Sequence, residues 1–298
     1  MINNAEVCPF GRKGTMKNVL LTIQYDGTNF SGWQRQPDRR TVQGEVERVL
    51  SILCKQEILV NGTSRTDAGV HAFDQHCSFA GDFGIPVERI PIAANHLFLA
   101  GEHRPGSVSD VQIVEAREVP MDFHARFNSR GKRYIYKIRN AKEPDMFLRT
   151  QCYQIPRPLD HEAMHRAGQH IVGEHDFRCF MAAGSQVGED TVRTVYDVSV
   201  TRDGDWVTLS ISGNGFLYNM VRIITGTLVE VGLGQRTEDS VADAIASRNR
   251  ATAGHTAPPQ GLYLAKVFYE EEEMEFPKIE TAEEICSCNT VDTTRKEA

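Results

Sequence analysis

Residues 64–72 read Ser64-Arg65-Thr66-Asp67-Ala68-Gly69-Val70-His71-Ala72. The stretch sets a single carboxylate, Asp67, on a short loop two residues after Arg65 and two before Gly69. Upstream, Asn61-Gly62 is a turn signal. Downstream, Val70 to Phe79 can run as a strand. An acid held on a tight loop at the mouth of a strand is well placed to act on a ligand lying over a sheet. Asp-x-Gly is also ordinary turn chemistry, so local physics alone leaves the role of Asp67 open.

Four further stretches bear on it. Residues 25–36 read Tyr-Asp-Gly-Thr-Asn-Phe-Ser-Gly-Trp-Gln-Arg-Gln. Residues 123–127 are Phe-His-Ala-Arg-Phe, and 132–136 are Lys-Arg-Tyr-Ile-Tyr. Residues 213–222 read Gly-Asn-Gly-Phe-Leu-Tyr-Asn-Met-Val-Arg and lead into an apolar run. Residues 257–264 read Ala-Pro-Pro-Gln-Gly-Leu-Tyr-Leu. Together with the Asp67 loop, these resemble, in family order from about residue 17 to 269, the motifs of the TruA family of tRNA pseudouridine synthases.

The resemblance implies an α+β fold: two α/β subdomains related by a pseudo-twofold, sharing a mostly antiparallel sheet crossed by a central RNA-binding cleft. Pattern alone supports α+β and not the continuous sheet. The expected organisation is a flexible N-terminal arm (1–16), an N-terminal α/β subdomain (17–120), a C-terminal α/β subdomain (121–269) and an acidic disordered tail (270–298). Members often begin where Met16-Lys17 stands.

Periodicity fills in the elements. Val19, Leu21, Ile23 and Tyr25 alternate as a strand. Thr41 can cap a helix with an apolar face of Val42, Val46, Val49, Leu50 and Leu53. Strands are predicted near 57–61, 70–79 and 108–119, and a helix near 86–99. In the second half a strand spans 133–139, and a helix spans 160–173 with Met164, Ala167, Ile171 and Val172 inward. A hairpin over 192–212 turns at Asp203-Gly204. An apolar helix spans about 216–232 with Phe216, Met220, Ile223 and Ile224 facing the core, and a last strand runs over 262–269.

Composition bounds the rest. The 298 residues are 40% hydrophobic and 24% charged, enough for a sizeable core. No apolar run reaches membrane-span length and the N-terminus has no signal-peptide core, so a soluble, cytoplasmic protein without membrane contact is expected. The cysteine count, seven, is odd and no C-x-x-C occurs, which predicts free thiols. The formal net charge of −7 is misleading for an RNA partner: residues 270–298 carry ten acidic and three basic residues, and the remainder sums to zero. RNA binding needs a basic face, not a basic average. Arg35, Arg39, Arg40, Arg65, Arg126, Arg130, Lys132 and Arg133 lie in or beside the motifs and form a candidate phosphate track.

Pseudouridylation breaks the bond from uracil N1 to ribose C1′, turns the base and rejoins it through C5. No electrons or groups enter, so the resemblance implies neither metal nor other cofactor. It makes Asp67 the catalytic nucleophile or base, with Arg222 as its ion-pair partner and Tyr134 as the aromatic over the uracil. Such a pair is expected to lower the Asp pKa. Leu264, with Leu262, is expected in the apolar pocket wall. Arg65, Arg126 and Arg133 are expected to handle the RNA. Family members act on uridines 38, 39 and 40 of the anticodon stem-loop, commonly as homodimers.

Two other classes compete. His161-Glu162-Ala163-Met164-His165 fits the H-E-x-x-H zinc-protease pattern. Gly168 continues the longer zinc motif, but His170 falls one residue short of it. The other rival is a non-catalytic RNA-binding protein on the same fold.

Overall fold

The protein, seen in a computed structural model, is described over residues 16–99, 108–182 and 190–270. Most of the expected N-terminal arm and acidic tail, with Cys8, Cys286 and Cys288, lies outside these residues.

The first half opens with β1 (Met16–Tyr25), whose Val19, Leu21 and Ile23 are fully buried. Helix α1 (Val42–Cys54) begins where the Thr41 hydroxyl accepts from Gly44 N, and it buries Val42, Val46, Val49 and Leu50. The two-residue β2 (Asn61–Gly62) and the long β3 (His71–Asp82) follow. Helix α2 (Ile90–Phe98) and β4 (Val111–Val119) complete this half. The expected strand over 57–61 shrinks to β2 because its backbone is used elsewhere. Ile58 N donates to Ser51 Oγ and Val60 N to Glu47 Oε1, both on α1.

The second half starts with β5 (Gly131–Arg139) and the short β6 (Tyr153–Gln154). Helix α3 (His161–Gln169) stops earlier than expected; Ile171 is still buried, but Val172 is 37% exposed and does not face inward. After β7 (Gly173–Asp176), β8 (Val192–Asp203) and β9 (Trp206–Gly213) form the expected hairpin, with Gly204 at φ 54° in its turn. Helix α4 (Met220–Gly232) is almost wholly buried. It begins later than the sequence predicts, because Asn219 sits at φ 60° and breaks the helical path before it. Phe216 therefore precedes the helix. A helix not anticipated, α5 (Ser240–Ser247), buries Val241 and Ala244 before β10 (Leu262–Phe268) closes the chain.

These strands build one sheet in the order β4-β1-β3-β10-β5-β9-β8-β7, with β2 on β3 and β6 on β5. Pairing is antiparallel except for β10 with β3 and β6 with β5, so the mostly antiparallel α+β expectation holds. The last strand is the seam: β10 joins β3 of the first half to β5 of the second, with Leu264 beside both Ala72 and Tyr134.

The loop between β2 and β3 carries Asp67, and its neighbours hold it rigidly. Trp33 N donates to Thr66 O at 3.0 Å. The Tyr25 and Thr66 hydroxyls bond at 2.7 Å. Gly32, at φ 90°, lets that chain approach so closely that a Cβ there would lie 2.7 Å from Thr66 O. Gln75 on β3 is fully buried and grips the other side. Its Nε2 donates to Ser64 O at 2.7 Å, and its Oε1 accepts from Ser64 N at 3.2 Å. Val70 N to Asp67 O closes the turn over Gly69, which stands at φ 78°.

Replacing Gln75 by Leu keeps the volume and strips both Ser64 backbone groups of their partners. Each unsatisfied buried group costs about 1–3 kcal/mol, so Gln75→Leu is expected to lose about 2–5 kcal/mol of unfolding free energy in urea titration. Stability equal to that of the parent would show that Gln75 is not the pin of this loop.

Candidate active site

The rigid loop and the start of α4 meet across the seam. Arg222 Nη1 lies 3.3 Å from Asp67 Oδ2, joining residues 155 positions apart. The guanidinium is also fixed elsewhere: Nε donates to Ala257 O at 2.8 Å and Nη1 to Asn219 Oδ1 at 2.7 Å. Ala257 N in turn donates to Arg222 O. The left-handed Asn219 that delays the helix thus aims its amide at Arg222. Both charged side chains are mostly withdrawn from solvent, at 20% exposure for Asp67 and 15% for Arg222.

The expected depression of the Asp67 pKa is corrected here. Burial raises it above the usual carboxylate value, and the Arg222 charge and hydrogen bond offset this only in part. The geometry explains the balance. Arg222 offers Asp67 one nitrogen at one oxygen, not a two-pronged fork, and that same Nη1 also serves Asn219 while Nε serves Ala257.

A cleft of about 870 Å³ opens over this pair, its wall including Ser64, Arg65, Asp67, Tyr134, Phe216 and Arg222. Tyr134 lies on β5 with only 7% of its surface exposed. Its hydroxyl bonds Ser64 Oγ at 2.7 Å, and its ring meets Phe216 edge-on at 5.3 Å. Burial pushes the phenol pKa far above its usual range, so the hydroxyl stays protonated.

The remaining expected residues divide. Arg65 is exposed and lines the cleft, as does Arg126. Arg133 does not line it; its Nε donates to Ser212 Oγ at 3.1 Å. Side chains alternate along a strand, so Lys132 and Tyr134 share the cleft face and Arg133 takes the other. Leu264 is fully buried under the seam and outside the cleft lining, whereas Leu262 is part of that lining. Of the wider basic track, Arg35 pairs with Glu47 at 3.0 Å and Arg40 forms a fork with Asp110 at 2.6 and 2.8 Å. Sequence reading missed Arg193, Asn219 and Ser64, all in the cleft wall. Asn219 was within reach, because it stands three residues before Arg222 in the quoted motif.

The H-E-x-x-H stretch lies on α3. His165 Nδ1 accepts from Val200 N at 3.3 Å, which ties that ring to β8. Among the described residues no three His, Cys, Asp or Glu side chains are grouped to hold a metal ion. Cys54, Cys77, Cys152 and Cys179 are free and buried. No helix among the described residues is long and apolar enough to cross a membrane.

A family model described as tRNA pseudouridine synthase matches residues 21–128 and 167–270. The chain is 45% identical over 254 residues to the tRNA pseudouridine synthase A of Acetivibrio thermocellus, a match covering 85% of this chain and 100% of that one. It is 47% identical over 248 residues to that of Halalkalibacterium halodurans, covering 83% and 90% respectively. With that of Geobacillus sp. (strain WCH70) it shares 46% over 255 residues, covering 85% and 99%. The matched segments contain the Asp67 loop, the start of β5's approach at 123–127 and the Arg222 helix, and on them the chain belongs to the TruA family of tRNA pseudouridine synthases.

Proposed function

We propose that this protein isomerises uridine to pseudouridine at positions 38, 39 and 40 of the tRNA anticodon stem-loop, with Asp67 as the reacting carboxylate. The observation that carries the reading is the 3.3 Å contact of Asp67 with Arg222 in the lining of a cleft of about 870 Å³.

The chemistry asks for few groups. The N1–C1′ bond breaks, the uracil rotates while retained, C5 bonds to C1′, and the C5 proton leaves. Asp67 serves either by attacking C1′ or by removing a proton from the ribose, and both routes use the ionised carboxylate. Arg222 keeps that form accessible in a site whose burial disfavours it. The Tyr134 ring stacks on the extruded uracil, and Phe216 and Leu262 extend the apolar wall. Arg65, Arg126, Lys132 and Arg193 surround the cleft with positive charge suited to the phosphate backbone. Recognition by backbone and shape fits an enzyme that modifies several adjacent uridines. The family resemblance extends the reading to a cytoplasmic homodimer in which a tRNA touches both copies.

Pseudouridine mapping on unmodified tRNA tests the whole reading. Wild type is expected to modify positions 38–40 without added metal, and Asp67→Ala to modify none while still binding tRNA. Binding without any modification by wild type would favour the non-catalytic RNA-binding role.

The pH dependence has a definite sign. The working form is ionised and burial raises the Asp67 pKa, so activity is lost at a higher pH on acidification than for an exposed Asp. The acid limb of kcat/KM is expected above the ordinary Asp value of 3.8. A limb at or below that value would mean that Arg222 outweighs burial.

Arg222→Lys keeps the charge and loses the planar arrangement that serves Asp67, Asn219 and Ala257 together. A loss of about 10–100-fold in kcat/KM is expected from the misplaced charge. Near-normal turnover would remove Arg222 from the mechanism.

A further inference from the structure

Phe127 is 77% exposed, although it stands in the wall of the same cleft as Asp67 and Tyr134. A single exposed ring is ordinary in itself; what sets Phe127 apart is its place in the cleft wall and the way its loop is held. The segment around it is not loose. Ala125 is fully buried; its N–H donates to Ser78 Oγ, and its carbonyl accepts from the Thr63 and Tyr269 hydroxyls. Phe127 N and Asn128 N both donate to His124 O, and His124 N donates to Asn128 Oδ1. The loop is thus tied to β3 and to the chain end of β10, and holds one aromatic side chain outward.

The ring is also backed. The His124 imidazole lies 4.3 Å from it, centroid to centroid, tilted by 35°. His124 Nδ1 accepts from Arg126 N at 3.1 Å, which fixes the imidazole's orientation. The Arg126 guanidinium lies 5.9 Å from the ring centre. Phe127 further borders a second hollow, shared with Phe123, Ser129, Arg130 and Tyr269. It therefore forms a ridge between the catalytic cleft and a neighbouring depression, with the cations Arg126 and Lys132 on the cleft side.

We propose that the Phe127 ring, backed by His124, is a stacking platform for an unpaired base adjoining the target uridine. This rests on the RNA-modifying reading above and adds a positioning residue to it. Three features fit this occupant. A flat, exposed π-face takes any base, so it suits an enzyme working at several positions. The surrounding positive charge draws the phosphates on either side of that base. The continuity of the ridge with the Tyr134 wall lets one base stack outside while its neighbour enters the cleft. The ring contributes no hydrogen-bond readout, so its work is to hold the strand open beside the extruded nucleotide and not to select sequence.

The test uses the full chain and an anticodon stem-loop RNA carrying 2-aminopurine next to the target uridine, with pseudouridine formation followed on full-length tRNA in parallel. Wild type is expected to quench the 2-aminopurine fluorescence by stacking. Phe127→Ala and Phe127→Leu are expected to lose the quench and about tenfold or more of kcat/KM, with the loss mainly in KM. Phe127→Trp is expected to restore both. Equal quenching and equal KM for wild type and Phe127→Ala would overturn the proposal. So would full function in Phe127→Leu, which keeps apolar bulk without a π-face. A change of oligomeric state in Phe127→Ala with the quench intact would overturn it too, assigning the ridge to a second copy of this chain. Quenching by wild type without any pseudouridine formed would sink the proposed reaction and leave the stacking platform standing.

Discussion

Burial costs the ionised Asp67 more than its contact with Arg222 returns, and the rest of the site is arranged around that imbalance. Two opposite charges about 4 Å apart gain on the order of 4 kcal/mol at the effective dielectric of a protein margin. Withdrawing each ion from water costs several kcal/mol. The upward shift of the Asp67 pKa shows which side wins here: burial outweighs the attraction. By linkage, Asp67 favours folding below its unfolded pKa, and that contribution fades as pH rises through its raised folded pKa. A carboxylate whose pKa is shifted by burial and a specific charge partner, set in a cleft, marks a candidate functional site. The fold must therefore hold it in place by other means. The buried Gln75 amide, the Tyr25–Thr66 hydroxyl pair and the Trp33 backbone do so, all neutral groups whose bonds survive in a dry site.

The same constraint accounts for the seam in the sheet. Asp67 and Arg222 lie in different halves, so the halves must meet within hydrogen-bonding precision. A loop docked on a surface would not hold two charges 3.3 Å apart. A strand shared by both halves does. β10 pairs with β3 immediately after the Asp67 loop and with β5 beside Tyr134. Leu264 at that crossing is fully buried, and this explains its place outside the cleft. It locks the strands that carry Ala72 and Tyr134. Leu262, two residues earlier on the same face of the strand, is the one that reaches the open cleft.

How far the sequence revealed this can be argued residue by residue. The Thr41 cap, the Asp203-Gly204 hairpin and the alternating β1 were legible because each depends on local chemistry. The Asp67 loop and the pairing of Arg222 with Asp67 were legible through motif resemblance, whereas the helix that carries Arg222 showed in its apolar period. What escaped notice depends on distant partners. Residues 57–60 look like a strand, yet Ile58 and Val60 give their N–H groups to side chains of α1. The helical pattern through Phe216 is interrupted by a left-handed Asn219 whose reason lies in Arg222. Helix α5 needed only the spacing of Val241, Ala244 and Ile245, a signal present in the sequence and overlooked. Arg133 and Lys132 stand on opposite faces by strand parity, because Tyr134 in the cleft commits Lys132 to the same face.

Charge follows the same logic as the pair of Asp67 and Arg222. Two arginines of the motif regions already have carboxylate partners within the fold, Arg35 with Glu47 and Arg40 with Asp110. Lys132 differs. Its Nζ donates to Thr63 O at 2.8 Å, and burial, with a smaller contribution from the neighbouring Arg126 charge, lowers its pKa to about 8. A lowered lysine pKa means that the site disfavours its own positive charge. An anion entering the cleft reverses this, because it supplies the counter-charge that the fold withholds. The cleft thus carries electrostatic stress in both signs, with a carboxylate and an ammonium in its lining that burial disfavours. A polyanionic strand that places a phosphate by Lys132 and a sugar by Asp67 relieves the stress on the ammonium while engaging the carboxylate, so binding and positioning draw on the same stored cost.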